Sequence, residues 1–314
     1  MASSLPSLNS LQVLVVALLA IVVAASTLSS SSHSSPTCIP QDQPNPIAQI
    51  YPFNATGLLN VTLAVVPIPL ATARTLVPSK WPILVHVYEA LFASLSINFP
   101  ANHYPLLVQA GLDHDIQLAA YNLSISDFQR TGYEFPFVDR LGDNFTSFRW
   151  VPHQIITASN ADAVEGSRAY GTDVSPADAF QPPCDAYQWD GGGTSFHASS
   201  AQVSMTLSFS YSPEKLPLAL FRNMTNQPSF ANGTACDNQI RLFDSAHFFG
   251  TQDATLLARP VKGSVRSTNF TPLTGTQHFA ESAHGWQLAT PFIENNYLDC
   301  DGFKGYSGVD LPGY

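Results

Sequence analysis

Val203-Ser204-Met205-Thr206-Leu207-Ser208-Phe209-Ser210-Tyr211 alternates apolar and hydroxyl-bearing side chains without a break. Successive side chains of extended backbone point to opposite sides, so a sustained period of two marks a strand with one buried face and one wet face. Gly191-Gly192-Gly193 just upstream is a turn signal. Those glycines do not read as a phosphate-binding loop, because no lysine stands beside them and no helical pattern follows.

Working outward, the 24 prolines and 18 glycines fall between short apolar runs, a punctuation that suits strands better than helices. Further strands are expected at Ile83 to Phe92, Leu106 to Ala110, Thr146 to Ala158, Ile240 to Phe249 and Thr255 to Val265. Helices are expected only at Leu70 to Leu76, closed by Pro78, and at Pro213 to Leu220. The expected fold class is therefore α+β but mostly β, a single-domain barrel-like or double-sheet architecture with few short helices.

Seven Asn-x-Ser/Thr sequons stand at Asn54, Asn60, Asn122, Asn144, Asn223, Asn232 and Asn269, each a candidate glycosylation site. A glycosylated Asn faces solvent, so its strand neighbours of opposite parity face inward. That places Val61, Leu63 and Val65 inside around Asn60, and Ala119, Tyr121, Leu123 and Ile125 inside around Asn122. Near Asn144 the same parity turns Arg149 inward and leaves Phe148 and Trp150 on the glycan's face, which calls for a bulge.

The chain opens on an apolar run, Leu11 to Ala25, followed by a serine cluster. This reads as a signal peptide over 1–25, a Ser-rich lead-in over 26–37 and one domain over 38–314. The expected localisation is the secretory pathway or outside the cell, with anchoring by an uncleaved N-terminal segment as the alternative. After cleavage no stable membrane insertion is expected, since no second apolar run reaches the roughly 20 residues of a span. Only 11% of residues are charged, and the net charge is -10. Nucleic acid is excluded as a partner by this reading, because its binding rests on clustered Lys and Arg. The oligomeric state is not readable.

In an oxidising compartment Cys38, Cys184, Cys236 and Cys300 form two disulfides, with three connectivities open. Among them we expect Cys38 with Cys300, tying the termini, and Cys184 with Cys236. Their wide spacing, and nine scattered histidines, show no metal-ligand pattern, so neither metal nor cofactor is expected. His114 between Asp113 and Asp115 would diverge from both carboxylates on a strand. No Gly-x-Ser-x-Gly elbow is present, which disfavours a serine hydrolase.

Charged side chains collect in Asn160-Ala161-Asp162-Ala163-Val164-Glu165-Gly166-Ser167-Arg168-Ala169-Tyr170-Gly171-Thr172, after a strand-like run. Together with Tyr51-Pro52-Phe53-Asn54, the strand Val61 to Val66, the small-residue helix closed by Val77-Pro78, and Leu84-Val85-His86-Val87-Tyr88-Glu89, this order of landmarks resembles the acetoacetate decarboxylase-like superfamily over Tyr51 to Thr172. The resemblance implies an acetoacetate decarboxylase-like fold in which Glu89 holds the place of an acidic pocket residue. It also implies a lysine-bearing segment after the later strand, where one lysine forms a Schiff base with a β-keto acid. Here that segment, Gly166 to Pro176, contains no lysine, and Lys80, Lys215, Lys262 and Lys304 have no second lysine beside them.

The functional expectation is thus a lyase or other acid–base enzyme on a small apolar carbonyl or carboxylate compound, without Schiff-base chemistry. Arg149 or Arg168 would hold a carboxylate, and Glu89 or Glu165 would move a proton. Two alternatives stay open. Glu165 and Arg168, three residues apart, form a structural ion pair, or the barrel is a non-catalytic binding or structural secreted glycoprotein.

Overall fold

In a computed structural model, residues 44–177, 179–189, 191–245 and 258–306 are described. The near-continuous apolar run of β1 (Ala55–Pro69) is buried on both faces, as a strand with partners along each edge and layers on each side must be. On one edge β1 pairs antiparallel with β2 (His103–Leu118), followed by β4 (Phe128–Asp139) and β5 (Ser147–Thr157). β5 takes the short β11 (Ser229–Phe230) in parallel, β11 pairs β12 (Ala235–Arg241), and β12 pairs β14 (Leu273–Asp299). The far part of β14 then pairs the free edge of β1, from Val65↔His284 to Ala55↔Glu294. Seven strands thereby close on themselves, which removes the exposed edges an open sheet would leave.

The N-terminal part of β14 carries a second sheet outward through β13 (Arg259–Phe270), β10 (Ser204–Tyr211), β9 (Thr194–Ser199) and β7 (Ala179–Gln181), with β8 (Gln188–Trp189) beside β9. This sheet lies against the barrel's outer face. Thr131 donates to Met205 Sδ at 2.9 Å, Tyr133 to Ser267 at 2.9 Å, and Gln287 to Thr194 at 2.6 Å. β3 (Leu123–Ile125) edges β2, and β6 (Asp173–Ala177) runs parallel to β5. The helices are short: α1 (Leu70–Leu76), α2 (Val85–Ser94), α3 (Ala161–Ala169) and α4 (Leu218–Thr225). The mostly β, barrel-like expectation matches this architecture. Among the described residues no helix is long and apolar enough to cross a membrane.

β10 keeps the parity read from its sequence as far as Ser210, with Met205, Leu207 and Phe209 buried and Ser208 and Ser210 exposed, but Tyr211 at its end is 57% exposed. Other expectations need correction. Ile83 to Phe92 is not a strand, since α2 buries Leu84, Tyr88 and Phe92 at a spacing of four, and that repeat is helical. Ala119 to Ile125 does not point inward either: a single 3-10 turn followed by an edge strand leaves Tyr121 at 44% and Leu123 at 55% exposure. The helix expected from Pro213 starts at Leu218. The strand expected over Ile240 to Phe249 ends at Arg241, and its last residues lie outside the described ones.

Asn60 contradicts its reading as a glycan-bearing residue. It is 1% exposed, with Oδ1 3.3 Å from His114 Nε2, and a folded barrel has no room there for a sugar. Asn122, Asn144, Asn232 and Asn269 are exposed, and Asn54 and Asn223 are half-buried. The expected disulfide pairing is also overturned, because Cys236 of β12 bonds Cys300, the residue just past the end of β14. Cys184 is disulfide-bonded as well, and Cys38 lies outside the described residues.

Candidate functional site

One end of the barrel interior is charged. The inward face of β2 supplies Gln109 and Asp113, β4 supplies Arg130 and Glu134, and β5 supplies Arg149. β12 supplies Asp237, Gln239 and Arg241, and β14 supplies Glu294. Most of these side chains are deeply buried, with Asp113, Glu134, Arg149 and Arg241 between 1% and 3% exposed. Buried charge is tolerated only when it is paired and hydrogen-bonded, so the partners decide what the site can do.

Two arginines are fully matched. Arg130 grips Asp113 through Nε at 2.8 Å and Nη2 at 2.9 Å, a bidentate pairing. Arg149 donates to Glu134 Oε2, and its Nε reaches the Gln227 carbonyl at 3.0 Å. Burial would raise the Glu134 carboxyl, but Arg149 and Arg241 beside it hold it below its ordinary range.

Arg241 is different. Its Nη2 donates to Gln109 Oε1 and its Nε to Gln239 Oε1 at 3.3 Å, both neutral amide oxygens. Among the described residues no carboxylate pairs with it, and its buried Nη1 has no hydrogen-bond partner. Burial, reinforced by the nearby Arg149, lowers its pKa to about 9, which leaves it charged at neutral pH.

Asp237 stands at a register shift between Cys236 and Asn238, the kind of irregularity that re-aims a side chain. Ser229 Oγ donates to its Oδ2 at 3.2 Å, while the buried Oδ1 has no partner. Its carboxyl is raised by burial, an effect only partly offset by Arg149 and Arg130. Glu294 is half-buried on the neighbouring strand, and its carboxyl is raised by burial and then by Asp237.

All of these barrel-end groups except Gln109 and Asp113 line a cavity of about 100 Å³, lined also by Val151, Gln154, Tyr170 and Phe230. Its outer wall is the inner side of α3, through Asp162, Ala163, Gly166 and Ser167. Asn160 starts that helix by accepting from Ala163 N at 2.9 Å. Tyr170 just beyond it donates to Asn296 at 2.6 Å. Gly171 permits this turn, with φ of +85° and the Gly233 nitrogen only 2.2 Å from where a Cβ would lie.

Of the four side chains expected to act on a ligand, Glu89, Glu165, Arg168 and Arg149, Arg149 alone enters the cavity lining. Glu89 is exposed on α2 and outside that lining, so the pocket position expected for it is corrected. Glu165 and Arg168 pair at 2.7 Å on the outer face of α3, 69% and 45% exposed, so the stretch walls the cavity with its other side. None of the four lysines lines the cavity. Among the described residues no cluster of His, Cys, Asp and Glu could hold a metal ion. The sequence reading missed Asp113, Arg130, Glu134, Asp237, Arg241 and Glu294. The one available signal was parity, since Asp237, Gln239 and Arg241 share a face at a spacing of two.

No protein-family model and no curated protein matches the sequence. The fold is similar to that of several solved structures. The enduracididine biosynthesis enzyme MppR matches with a TM-score of 0.40 and 9% identity, over 87% of this chain and 100% of that one. Acetoacetate decarboxylase from Legionella pneumophila matches at 0.39 and 10% identity, over 86% and 96%. An acetoacetate decarboxylase-like enzyme from Sphingomonas wittichii matches at 0.39 and 7% identity, over 78% and 94%. At such identities the likeness is one of fold alone, and what the cavity does follows from its own side chains.

Proposed function

We propose that this chain binds a small carboxylate compound in the barrel cavity, docked on Arg241. The observation that carries the reading is the guanidinium of Arg241, a cavity-lining residue, buried without a carboxylate partner and with its Nη1 unsatisfied. An incoming carboxylate supplies both the missing charge and the missing acceptor. Calorimetric titration of the full chain with propionate and lactate tests it. Replacing Arg241→Gln, with the fold checked by circular dichroism, weakens the tighter ligand roughly 10- to 100-fold, as a lost hydrogen bond to a charged group implies. Undiminished binding by the variant, or none by the wild type, sinks the reading.

A second reading, an acid–base enzyme acting on the docked compound, is supported by Asp237 and Glu294. Two carboxyls raised above their ordinary range beside one cavity are suited to giving and taking protons near neutral pH. Its expected sign is exchange of carbon-bound hydrogen for deuterium in a small carbonyl acid such as pyruvate, followed by NMR. Exchange that Asp237→Asn and Glu294→Gln both leave intact rules these groups out. We also read the protein as a secreted glycoprotein. Supporting this are the N-terminal apolar run, the exposed sequons at Asn122, Asn144, Asn232 and Asn269, and the Cys236–Cys300 disulfide.

A further inference from the structure

Arg241 is not the only buried group at the cavity with an unmet hydrogen bond. Asp237 is 8% exposed, lines the same cavity, and has no partner on Oδ1. One group lacks an acceptor and the other lacks a donor. We propose that Asp237 is a specificity-determining residue, which makes the cavity select short acids bearing a hydroxyl beside the carboxylate over acids with a carbonyl oxygen there. The inference rests on the reading of Arg241 as the carboxylate dock.

Geometry sets the spacing. Nε and Nη2 of Arg241 both lie 3.3 Å from Gln239 Oε1, so the guanidinium is folded back along β12 over residue 239. Asp237 is two residues further on the same face, about 7 Å along a strand. Two hydrogen bonds of about 2.8 Å take up most of that span, so the ligand's acceptor and donor must be near neighbours. Between them Gln239 is already satisfied: its Oε1 accepts from Arg130 at 3.0 Å, and its Nε2 donates to Asp113 at 3.3 Å. It therefore does not compete for the ligand.

Size points the same way. An apolar cavity of roughly 150 Å³ holds benzene, with six non-hydrogen atoms, so the 100 Å³ here suits a molecule of about four to six. Glycolate and lactate fall within that range. A carbonyl oxygen in place of their hydroxyl would face the Asp237 carboxylate with no hydrogen to share, leaving a buried acceptor unmet. That defect costs about 1–3 kcal/mol, roughly a 5- to 150-fold loss of affinity.

The test is a set of calorimetric titrations of the full chain at neutral pH, where Asp237 is ionised and Arg241 is charged. The probes are glycolate and lactate, pyruvate as the carbonyl counterpart of lactate, glyoxylate, which water converts to a gem-diol and which therefore groups with the hydroxy acids, and acetate and propionate. The expected result is at least about fivefold tighter binding of lactate than of pyruvate. Asp237→Asn, whose amide offers a donor, shrinks or inverts the ratio. Equal affinities for lactate and pyruvate in the wild type overturn the proposal and leave the Arg241 dock standing. A ratio unchanged in a folded Asp237→Asn variant does the same. If that variant does not fold, the wild-type ratio alone decides. Binding of none of the six acids removes both readings.

Discussion

Glu294 shows how one side chain can couple the site to stability. Its folded-state carboxyl is raised by burial and by Asp237, so the native state keeps a proton that the unfolded chain has already released. Stability from this group is complete below the ordinary carboxylate pKa and is lost as pH rises through the raised value. Glutamine mimics the protonated form at every pH. Relative to wild type, Glu294→Gln is therefore expected to gain as pH rises. Solvent screens a half-buried group and reduces the effect to about 1 kcal/mol, or roughly 2–4 °C in melting temperature for a domain of this size. Melting curves that run parallel from acid to alkaline pH would show the assignment to be wrong. Glu134 carries the opposite sign. Its carboxyl is held low by the arginines, so its contribution is present above the ordinary pKa and fades as pH falls through the lowered one.

Individual elements differ in how much of themselves they show in sequence. β10 was legible because its outer face is hydroxyl-bearing and its inner face apolar, so the period of two is visible. α2 was not, because Val85, Val87 and Leu91 are half-buried as well as Leu84, Tyr88 and Phe92 buried, and this near-continuous apolar content masks the spacing of four. The consequence reaches function: the resemblance placed Glu89 in a pocket, whereas the helix turns it to solvent. α3 misled in the other direction. Its charged pair, Glu165 and Arg168, was visible, but the face that walls the cavity is, apart from Asp162, made of small residues, Ala163, Gly166 and Ser167, which carry no chemical signal.

At the scale of the whole molecule, β14 is the closing element. It pairs β13 over its first part, β1 over its middle and β12 at its end. It thereby joins barrel to outer sheet and brings Glu294 beside Asp237. Gly285 marks the point where β13 and β1 both pair with it, opposite Val261 and Ala64. A Cβ there would lie 1.9 Å from the Leu63 carbonyl oxygen, a backbone atom that cannot step aside without opening the ladder. Gly285→Val is expected to cost about 3 kcal/mol, the upper end for overpacking, and to lower the melting temperature by roughly 6–12 °C. A thermal melt within a degree or two of wild type would mean that closure does not depend on this contact.

By itself the sequence determined the mostly β character, the alternation of individual strands, and the presence of sequons and cysteines. Each is a local property, readable from periodicity or from a short motif. Only the tertiary structure decided which strand face is the inside, that Asn60 is covered on both sides, that Cys236 meets Cys300, and that Asp113, Arg130, Glu134, Arg149, Asp237, Arg241 and Glu294 share one barrel end. The physical reason is pairing order. A strand's parity says which residues travel together, but whether they face a cavity or a neighbouring sheet depends on partners far away in the chain. Charges lying one or two to a strand on five strands become a site only when β14 closes against β1.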